Sequence, residues 1–291
     1  MEGRKKIGDR KDGRLLRTRE PMSIVETFIL VDRTGATNYI QDKVEISKAE
    51  EYIKRKRKEG LNGFGLMHLM VAIYVRVASR APAVNRFVSG QRVYARDRIE
   101  VNIDIKKEMT LEAPNTCVKI ILSPDDTAED VYRKMKEVID VEKGGESESD
   151  FDSVAGALAK FPKLFFKFSI WFLKLLDYFG WLPKSLLEVS PFHGSFFITS
   201  MGSLGIPPIF HHLYSFGNVP IFCAIGPKRT EYEIDRDGNT VKKKYMDYTF
   251  STDERIVDGY YYATAFRMMK LCFSDPDKLD FPPEKVVEDI D

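Results

Sequence analysis

The sequence predicts an α/β fold, a two-layer sandwich in which helices cover a mixed sheet. Strand-like and helix-like segments alternate along the chain instead of grouping by type. Residues 64–79 form an apolar stretch of the length expected for a buried helix. A turn sequence at residues 235–239 (DRDGN) separates two strand-like runs, as in a β-hairpin. With 291 residues, 43% of them hydrophobic, the chain is large enough for a sizeable core.

The first part of the chain alternates predicted strands and helices. Residues 24–31 and 37–40 predict strands. Ser47 and Glu50 form a capping-box pattern that predicts a helix through Lys58, and glycines at 60 and 63 end it. The apolar helix that follows stops at Pro82, because proline disfavours helical backbone at and before its own position. Further strands are predicted at 92–96, 100–105 and 116–122.

The second part begins with a helix opened by Ser123-Pro124 and running to about Val141. A polar, acidic loop at 143–152 separates it from an apolar segment at 161–182. Strands are predicted at 195–200, 219–225, 231–234 and 240–250, and a helix at 261–272. We therefore expect one domain, residues 20–291, with a Phe/Trp-rich helical insertion at about 153–190.

Charge and cysteine content narrow the class of protein. Charged residues make up 31% and the net charge is +1, which argues against disorder and against a dedicated nucleic-acid-binding protein. Residues 1–19 are strongly basic and predict a flexible solvated arm, with contact with anionic lipid or a partner as the alternative. The three cysteines are far apart without zinc-ligand spacing, so no metal site is expected and a reduced, cytoplasmic setting fits best. No apolar signal-peptide core follows the basic start.

The segment 252–259 (TDERIVDG) carries the most specific pattern. It resembles the Asp-His-Arg-x-x-Asp-Gly signature of the chloramphenicol acetyltransferase-like acyltransferases, which include the catalytic cores of 2-oxo acid dehydrogenase complexes. Asp253, Arg255, Asp258 and Gly259 match that signature. Glu254 stands where the family has its catalytic histidine.

Three upstream segments extend the resemblance in the family's order. Residues 82–85 (PAVN) are similar to its Pro-x-x-Asn after an apolar helix. Residues 196–202 (FFITSMG) resemble its Phe-Thr-Ile-Ser-Asn-Leu-Gly strand, and residues 220–226 (PIFCAIG) resemble its Ala-Ile-Leu-Gly-Val-Gly strand. The resemblance covers about residues 20–275. It implies a chloramphenicol acetyltransferase-like two-layer sandwich.

The resemblance also implies roles for particular residues. Thr199 aligns with the hydroxyl that stabilises the oxyanion of the tetrahedral intermediate. Glu254 occupies the position of the base that deprotonates the acceptor. Asp258 matches an aspartate that orients the loop through an arginine, for which Arg14, Arg17 and Arg19 are candidates. The catalytic set is therefore Thr199, Glu254 and Asp258.

Glu254 leaves three interpretations open. Glutamate side chains ordinarily titrate near pH 4.3 and are weak bases for a thiol, although burial can strengthen them. A relocated base would be a histidine, and His211 and His212 are the candidates for a base or a substrate contact. Adjacent side chains on an extended strand point apart, so one of the two would face the site. The third interpretation is that acyl transfer has been lost.

The apolar segment 162–182 has a narrow lysine seam. At 100° per residue, Lys163, Lys167 and Lys174 fall on one side of a helix, with Asp177 nearby. The lysines argue against a transmembrane span. Two interpretations remain open, a helix buried in the protein or between subunits, and a helix lying in a membrane interface or lining an acyl-chain pocket.

The family's partners and cofactors set the remaining expectations. About 20 residues precede the core, so no lipoyl domain is expected in this chain. A coenzyme A thioester is then the expected co-substrate. Family sites form between subunits, which implies a homotrimer. The leading function is CoA-thioester-dependent acyl transfer to an unidentified acceptor. The alternative is an inactive homotrimer that binds an acyl ligand, a protein partner or a membrane surface.

Overall fold

The computed structural model describes residues 6–106, 115–144, 156 and 162–291. Its strands are β1 (Gly13–Leu15), β2 (Thr37–Glu45), β3 (Arg86–Ser89), β4 (Arg92–Arg96), β5 (Ile99–Lys106), β6 (Asn115–Leu122), β7 (Phe196–Ser200), β8 (Ile221–Ile234) and β9 (Thr240–Asp253). Its helices are α1 (Pro21–Ile29), α2 (Ser47–Lys58), α3 (Leu66–Arg80), α4 (Ala128–Gly144), α5 (Lys163–Tyr178), α6 (Lys184–Val189) and α7 (Gly259–Ser274).

Six strands form the main sheet in the order β2-β9-β8-β7-β5-β6, and β1, β4 and β3 form a smaller antiparallel sheet. Strand β7 pairs parallel to both neighbours, and the other pairs are antiparallel, so the main sheet is mixed. Alternate residues of its strands join the main core with α2, α3, α4 and α7. The predicted two-layer α/β sandwich is confirmed.

The opposite face of the main sheet carries the other set of side chains. There Phe197 and Phe222 stack at 4.5 Å and form a smaller cluster with Leu213 and Val219. The connection between β7 and β8 lies over this face. Thr249 and Ser251 of β9 donate hydrogen bonds to the carbonyls of residues 209 and 211. We call this the open face of the sheet, and the connection the β7–β8 loop.

The predicted hairpin is confirmed at its turn. Strands β8 and β9 pair through Ile234 and Thr240, with residues 235–239 between them. Asp235 Oδ1 accepts hydrogen bonds from the backbone N–H groups of Asp237 and Asn239, and Gly238 takes a φ of 85°. An aspartate at the start and a glycine in the left-handed region are what such a turn requires.

Two local predictions in the first part of the chain are wrong. Residues 24–31 belong largely to helix α1. Pro21 suits the first turn of that helix, and Thr27 is the residue of the helix that is buried against the rest of the protein. Ser47 does not cap α2, since its hydroxyl accepts a hydrogen bond from the Lys244 N–H and Glu50 pairs with lysines of the main sheet. In both places, contacts between segments far apart in sequence override the structure that the local sequence pattern predicts.

Helix α4 begins later than predicted, at Ala128 instead of Ser123. The Thr127 hydroxyl accepts from the Asp130 N–H while the Asp130 carboxylate accepts from the Thr127 N–H, which makes a reciprocal cap. Residues 123–126 form a separate turn closed by Asp126. Beyond residue 144, the predicted loop at 143–152 lies outside the described residues.

The prediction of a flexible arm at 1–19 is wrong for residues 6–19. Strand β1 pairs with β4, and Arg10 and Leu16 are buried. The basic side chains find acidic partners within the chain: Arg17 contacts Asp9, and Arg14 contacts Asp291. These ion pairs neutralise the basic side chains, whose mutual repulsion was the reason to expect a solvated arm.

Helix α5 lies within the predicted apolar segment and has one buried residue, Asp177. The Asp177 carboxylate contacts Arg10 at 2.7 Å and lies 3.5 Å from Nε2 of His193. His193 Nδ1 lies 2.8 Å from the Ser190 hydroxyl. This polar cluster fastens the end of α5 to the protein. Among the described residues, no helix is long and apolar enough to cross a membrane.

The Asp177 cluster predicts a loss of stability in acid. Burial alone would raise the pKa of Asp177, but the nearby His193 ring and the ion pair with Arg10 lower it to about 2. Because an unfolded aspartate titrates near 3.9, the lowered pKa contributes roughly 2 kcal/mol to the free energy of unfolding above about pH 5. We expect that contribution to vanish as the pH falls towards 2. Urea unfolding of Asp177→Asn beside the parent chain checks this, and a stability difference that stays constant from pH 6 to pH 3 would contradict it.

Candidate active site

The end of β9 holds the segment that resembles the acyltransferase signature. Asp253 is fully buried and makes a two-pronged ion pair with Arg255, at 2.8 and 2.7 Å. Arg255 also donates to the Leu30 carbonyl at 2.9 Å. The matching Asp-x-Arg residues therefore clamp the chain after β9 to the segment that follows α1.

Asp258 caps helix α7. Its carboxylate accepts a hydrogen bond of 2.8 Å from the Tyr261 N–H. Within the described part of the chain it has no ion pair with an arginine, so the expected partnership is wrong. Arg14 and Arg17 engage carboxylates near the two chain ends, and Arg19 donates to the Ser23 carbonyl.

The cap makes a prediction about stability. Replacing Asp258 with alanine removes the acceptor of the Tyr261 N–H and should lower the free energy of unfolding by about 1 kcal/mol. Asp258→Ser keeps an N-cap oxygen and should lose much less. Chemical denaturation of the three proteins measures both differences, and equal losses for the two variants would show that the carboxylate does something other than capping.

Glu254 lies in the same corner, half-buried. Its Oε2 accepts a 2.7 Å hydrogen bond from the Asn38 amide, and its N–H donates to the Ala36 carbonyl. Glu26 of α1 is close by, since burial and the charge of Glu254 both raise the pKa of Glu26. We call residues Glu26, Asn38 and Glu254 the Glu254 corner. It offers two neighbouring carboxylates and a hydrogen-bond donor.

Thr199 lies on the open face, near the end of β7. The β5–β7 register pairs Ile103 with Ile198, which places Asp104 beside Thr199, and Asp104 pairs with Cys117 of β6. Burial raises the pKa of Asp104, while a hydrogen bond with Cys117 and the nearby His211 act in the opposite direction. Among the described residues, no protein group hydrogen-bonds the Thr199 hydroxyl, so it is available to a ligand.

His211 lies over the same face. Its ring stacks on Phe222 at 3.8 Å, and Phe222 pairs with Phe197, two residues before Thr199. That diagonal step places Phe222, the residue on which His211 stacks, roughly 7–8 Å from Thr199 across the sheet. Burial is the main reason that the pKa of His211 is lowered, so the ring is neutral at pH 7.

The β7–β8 loop fixes the tautomer of His211. Its Nδ1 lies 3.0 Å from the His212 carbonyl oxygen, which can only accept, so Nδ1 carries the proton and Nε2 keeps a lone pair. The expectation that His211 and His212 point apart is wrong. Their rings stack at 4.7 Å because the loop is not an extended strand here. A neutral imidazole with a free Nε2 is the form that acts as a general base.

The other two histidines have structural positions. His193 is buried with Ser190 and Asp177. His68 accepts a hydrogen bond from the Gly65 N–H at the start of α3, and burial followed by the charge of Arg57 lowers its pKa to about 4. His193 is therefore fully buried, and His68 belongs to α3 in the layer that covers the other face of the sheet.

The two groups of candidate residues are far apart in one chain. Thr199 pairs with Ala224 of β8, and Ala224 pairs with Thr249 of β9. Glu254 follows Thr249 by five residues along the chain. At the rise and spacing of β-strands, Thr199 and Glu254 are roughly 15–20 Å apart. One chain therefore brings Thr199, Asp104 and His211 together on the open face and leaves Glu254 and Asp258 outside that group.

Sequence reasoning missed Asp104, Asn38 and Glu26. Asp104 lies in a strand-like run where alternation marks it only as facing away from the core. Asn38 and Glu26 reach Glu254 through the pairing of β2 with β9 and the placement of α1. The sequence signal that could have led to Glu26 is Pro21, because it suits the start of the helix that carries Glu26.

No protein-family model and no curated protein matches this sequence. Solved structures do match its fold. A dihydrolipoamide acetyltransferase of Azotobacter vinelandii has a TM-score of 0.57 at 9% identity, covering 95% of this chain and 94% of its own. A truncated 2-oxoacid dehydrogenase complex core of Thermoplasma acidophilum gives 0.54 at 13% identity, covering 90% and 99%. A chloramphenicol acetyltransferase gives 0.53 at 12% identity, covering 89% and 98%. The chain has the chloramphenicol acetyltransferase-like fold.

Proposed function

We propose that this chain, with its acyltransferase fold, transfers an acyl group from a coenzyme A thioester to a small nucleophilic acceptor. His211 is the base and Thr199 stabilises the oxyanion. The observation that carries the proposal is the neutral His211, with Nε2 free, on the same face as the unengaged Thr199 hydroxyl. Two of the solved structures with this fold are acetyltransferases by name, which supports the reaction class.

The reaction follows from these two groups. The acceptor's hydroxyl, thiol or amine attacks the thioester carbonyl while Nε2 of His211 takes its proton. The Thr199 hydroxyl donates to the oxyanion of the tetrahedral intermediate. Collapse breaks the carbon–sulfur bond, and the imidazolium returns the proton to the leaving thiolate. The products are the acylated acceptor and free coenzyme A.

The Glu254 corner serves a neighbouring copy in this proposal. The separation of roughly 15–20 Å within one chain fits a homotrimer in which the corner of one subunit faces the open face of the next. Glu254 then contacts the acceptor or coenzyme A, and Asp253 and Asp258 hold the corner in shape. The Azotobacter enzyme was studied for a catalytic serine, histidine and asparagine. Its histidine and asparagine have the spacing of Glu254 and Asp258, which supports a substrate-facing corner.

Release of free thiol from a panel of acyl-CoA thioesters of increasing length tests the function. With the preferred donor, Thr199→Val removes the oxyanion donor and should lower kcat by about 10²–10³. Ser200→Ala is the matched control, because Ser200 points to the other face of β7. Equal activity of wild type and Thr199→Val would exclude the proposed role of Thr199, and absence of thiol release with every donor would exclude acyl transfer from these thioesters.

A second candidate function is binding without catalysis. The Asn38–Glu254 hydrogen bond favours it, because it gives the residue at the family's base position a structural role. An inactive trimer would hold an acyl ligand or coenzyme A without cleaving it. Calorimetric binding of a donor that yields no thiol would select this candidate over acyl transfer.

A further inference from the structure

Helix α5 projects an apolar surface with no partner in the described chain. Five of its exposed apolar side chains are 36–80% accessible and occupy a continuous arc: Leu164, Phe168, Trp171, Phe172 and Leu175. At 100° per residue this arc spans roughly 100°, the lysines lie beside one edge of it, and the side facing the protein lies beside the other. The helix therefore has three sides, directed to the protein, to basic side chains and to something apolar.

Helix α1 presents a second apolar surface. Met22, Val25, Phe28 and Ile29 are 48–75% exposed, and Thr27 on the opposite side is buried. The two helices meet at the turn between β3 and β4. The Thr27 hydroxyl donates to the Gln91 carbonyl, and the Tyr178 hydroxyl donates to Gln91 Oε1, each at 2.9 Å.

A glycine permits this meeting. Gly90 of the same turn has a φ of 55°, and a Cβ there would lie 2.3 Å from the Tyr178 carbonyl oxygen. The end of α5 therefore packs directly on the backbone of the turn that also holds α1. The apolar surfaces of α1 and α5 therefore flank the same turn, and together we call them the α1/α5 surface.

The exposed charge of α5 has one sign, whereas α1 carries one acid, the half-buried Glu26. The only acid of α5, Asp177, is buried and paired with Arg10, so the exposed charge of α5 comes from Lys163, Lys167 and Lys174. Lys11 extends it, because its ammonium group donates to the Leu182 carbonyl just beyond the helix. Exposed aromatic residues flanked by lysines fit an apolar layer covered by anionic groups.

We propose that the α1/α5 surface binds the face of a lipid bilayer that carries anionic headgroups. When the aromatic arc of α5 points into the boundary between headgroups and acyl chains, the lysines lie at the level of the headgroups. The side of α5 that packs on the protein then also lies outside the acyl chains. A lipid surface deforms around a projecting helix, whereas a second copy of this chain would need a complementary groove and a negative charge opposite the lysines. The inference does not depend on acyl transfer, so its test and that of the proposed function succeed or fail separately.

Vesicle binding by the full chain tests the proposal. Phosphatidylcholine vesicles with about 30% phosphatidylglycerol should sediment the protein, and pure phosphatidylcholine vesicles should do so far less. The only two tryptophans, Trp171 and Trp181, both lie in this region and are exposed, so their emission should shift to the blue on binding. Phe168→Ser with Phe172→Ser, or Met22→Ser with Ile29→Ser, should weaken binding about tenfold.

Matched control variants distinguish binding through the α1/α5 surface from nonspecific hydrophobic or electrostatic binding by other parts of the protein. Tyr232→Ser with Ile234→Ser removes equally exposed apolar groups from the β8–β9 hairpin and should leave binding unchanged. Lys163, Lys167 and Lys174 changed together to glutamine should weaken binding about tenfold, and Lys48, Lys54 and Lys58 of α2 changed likewise should have little effect. The proposal is overturned by an absence of vesicle binding, by equal losses in test and control variants, or by lipid-free self-association that Phe168→Ser with Phe172→Ser abolishes.

Discussion

Replacing His211 with alanine should lower kcat/KM for thioester cleavage by about 10²–10⁴. The variant loses the neutral imidazole that the His212 carbonyl holds with Nε2 unprotonated. The acceptor would then attack without a positioned base, and water would replace the imidazole. The measurement is thiol release at fixed acceptor concentration.

His212→Ala is the matched control, since it keeps the carbonyl that orients His211. It should change kcat/KM by much less, because only packing between the two rings is lost. Circular dichroism and thermal unfolding establish that both variants fold. If His212→Ala were the more damaging change, or if neither mattered, His211 would not be the base.

Replacing Asp253 with alanine should lower the free energy of unfolding by about 3–5 kcal/mol. The substitution leaves the Arg255 guanidinium buried without its two-pronged partner, and a buried unpaired charge is very unfavourable. Urea or guanidinium unfolding measures the difference. The same experiment shows whether the Asp-x-Arg part of the signature serves stability.

Two further variants define the cause. Asp140→Ala removes an ion pair with Lys136 on the exposed side of α4 and should cost less than 1 kcal/mol. The double change Asp253→Leu with Arg255→Met removes both buried charges and should recover much of the stability lost in Asp253→Ala. A double variant less stable than Asp253→Ala would show that the pair contributes through more than its mutual neutralisation.

The sequence was sufficient for the fold where local and tertiary preferences agree. The hairpin around Asp235 and Gly238 and the apolar helix α3 follow from turn chemistry and from length. Helix α1 was misassigned because its β-branched and aromatic residues favour a strand, while its burial pattern depends on the β3–β4 turn against Thr27. Ser47 was misassigned because a neighbouring strand, not its own helix, uses its hydroxyl.

The candidate site was less accessible to sequence reasoning. The resemblance identified Thr199 and Glu254 but could not show that a single chain separates them. The position of Asp104 beside Thr199 depends on the parallel pairing of β5 with β7, between strands far apart in sequence. The neutral tautomer of His211 depends on a contact with the His212 carbonyl that no local sequence pattern indicates. Arg10, predicted to be in a flexible arm, instead holds the end of α5 through Asp177.

The pH dependence of kcat/KM for Glu254→Gln tests the central claim most directly. The account predicts that this variant retains most of the wild-type activity. Both proteins should lose activity as the pH falls through a single ionisation below 6.5, because burial first of all lowers the pKa of His211 and a protonated imidazole cannot accept the proton. Loss of thioester cleavage in Glu254→Gln, with His211→Ala still active, would contradict the account and return the role of base to Glu254.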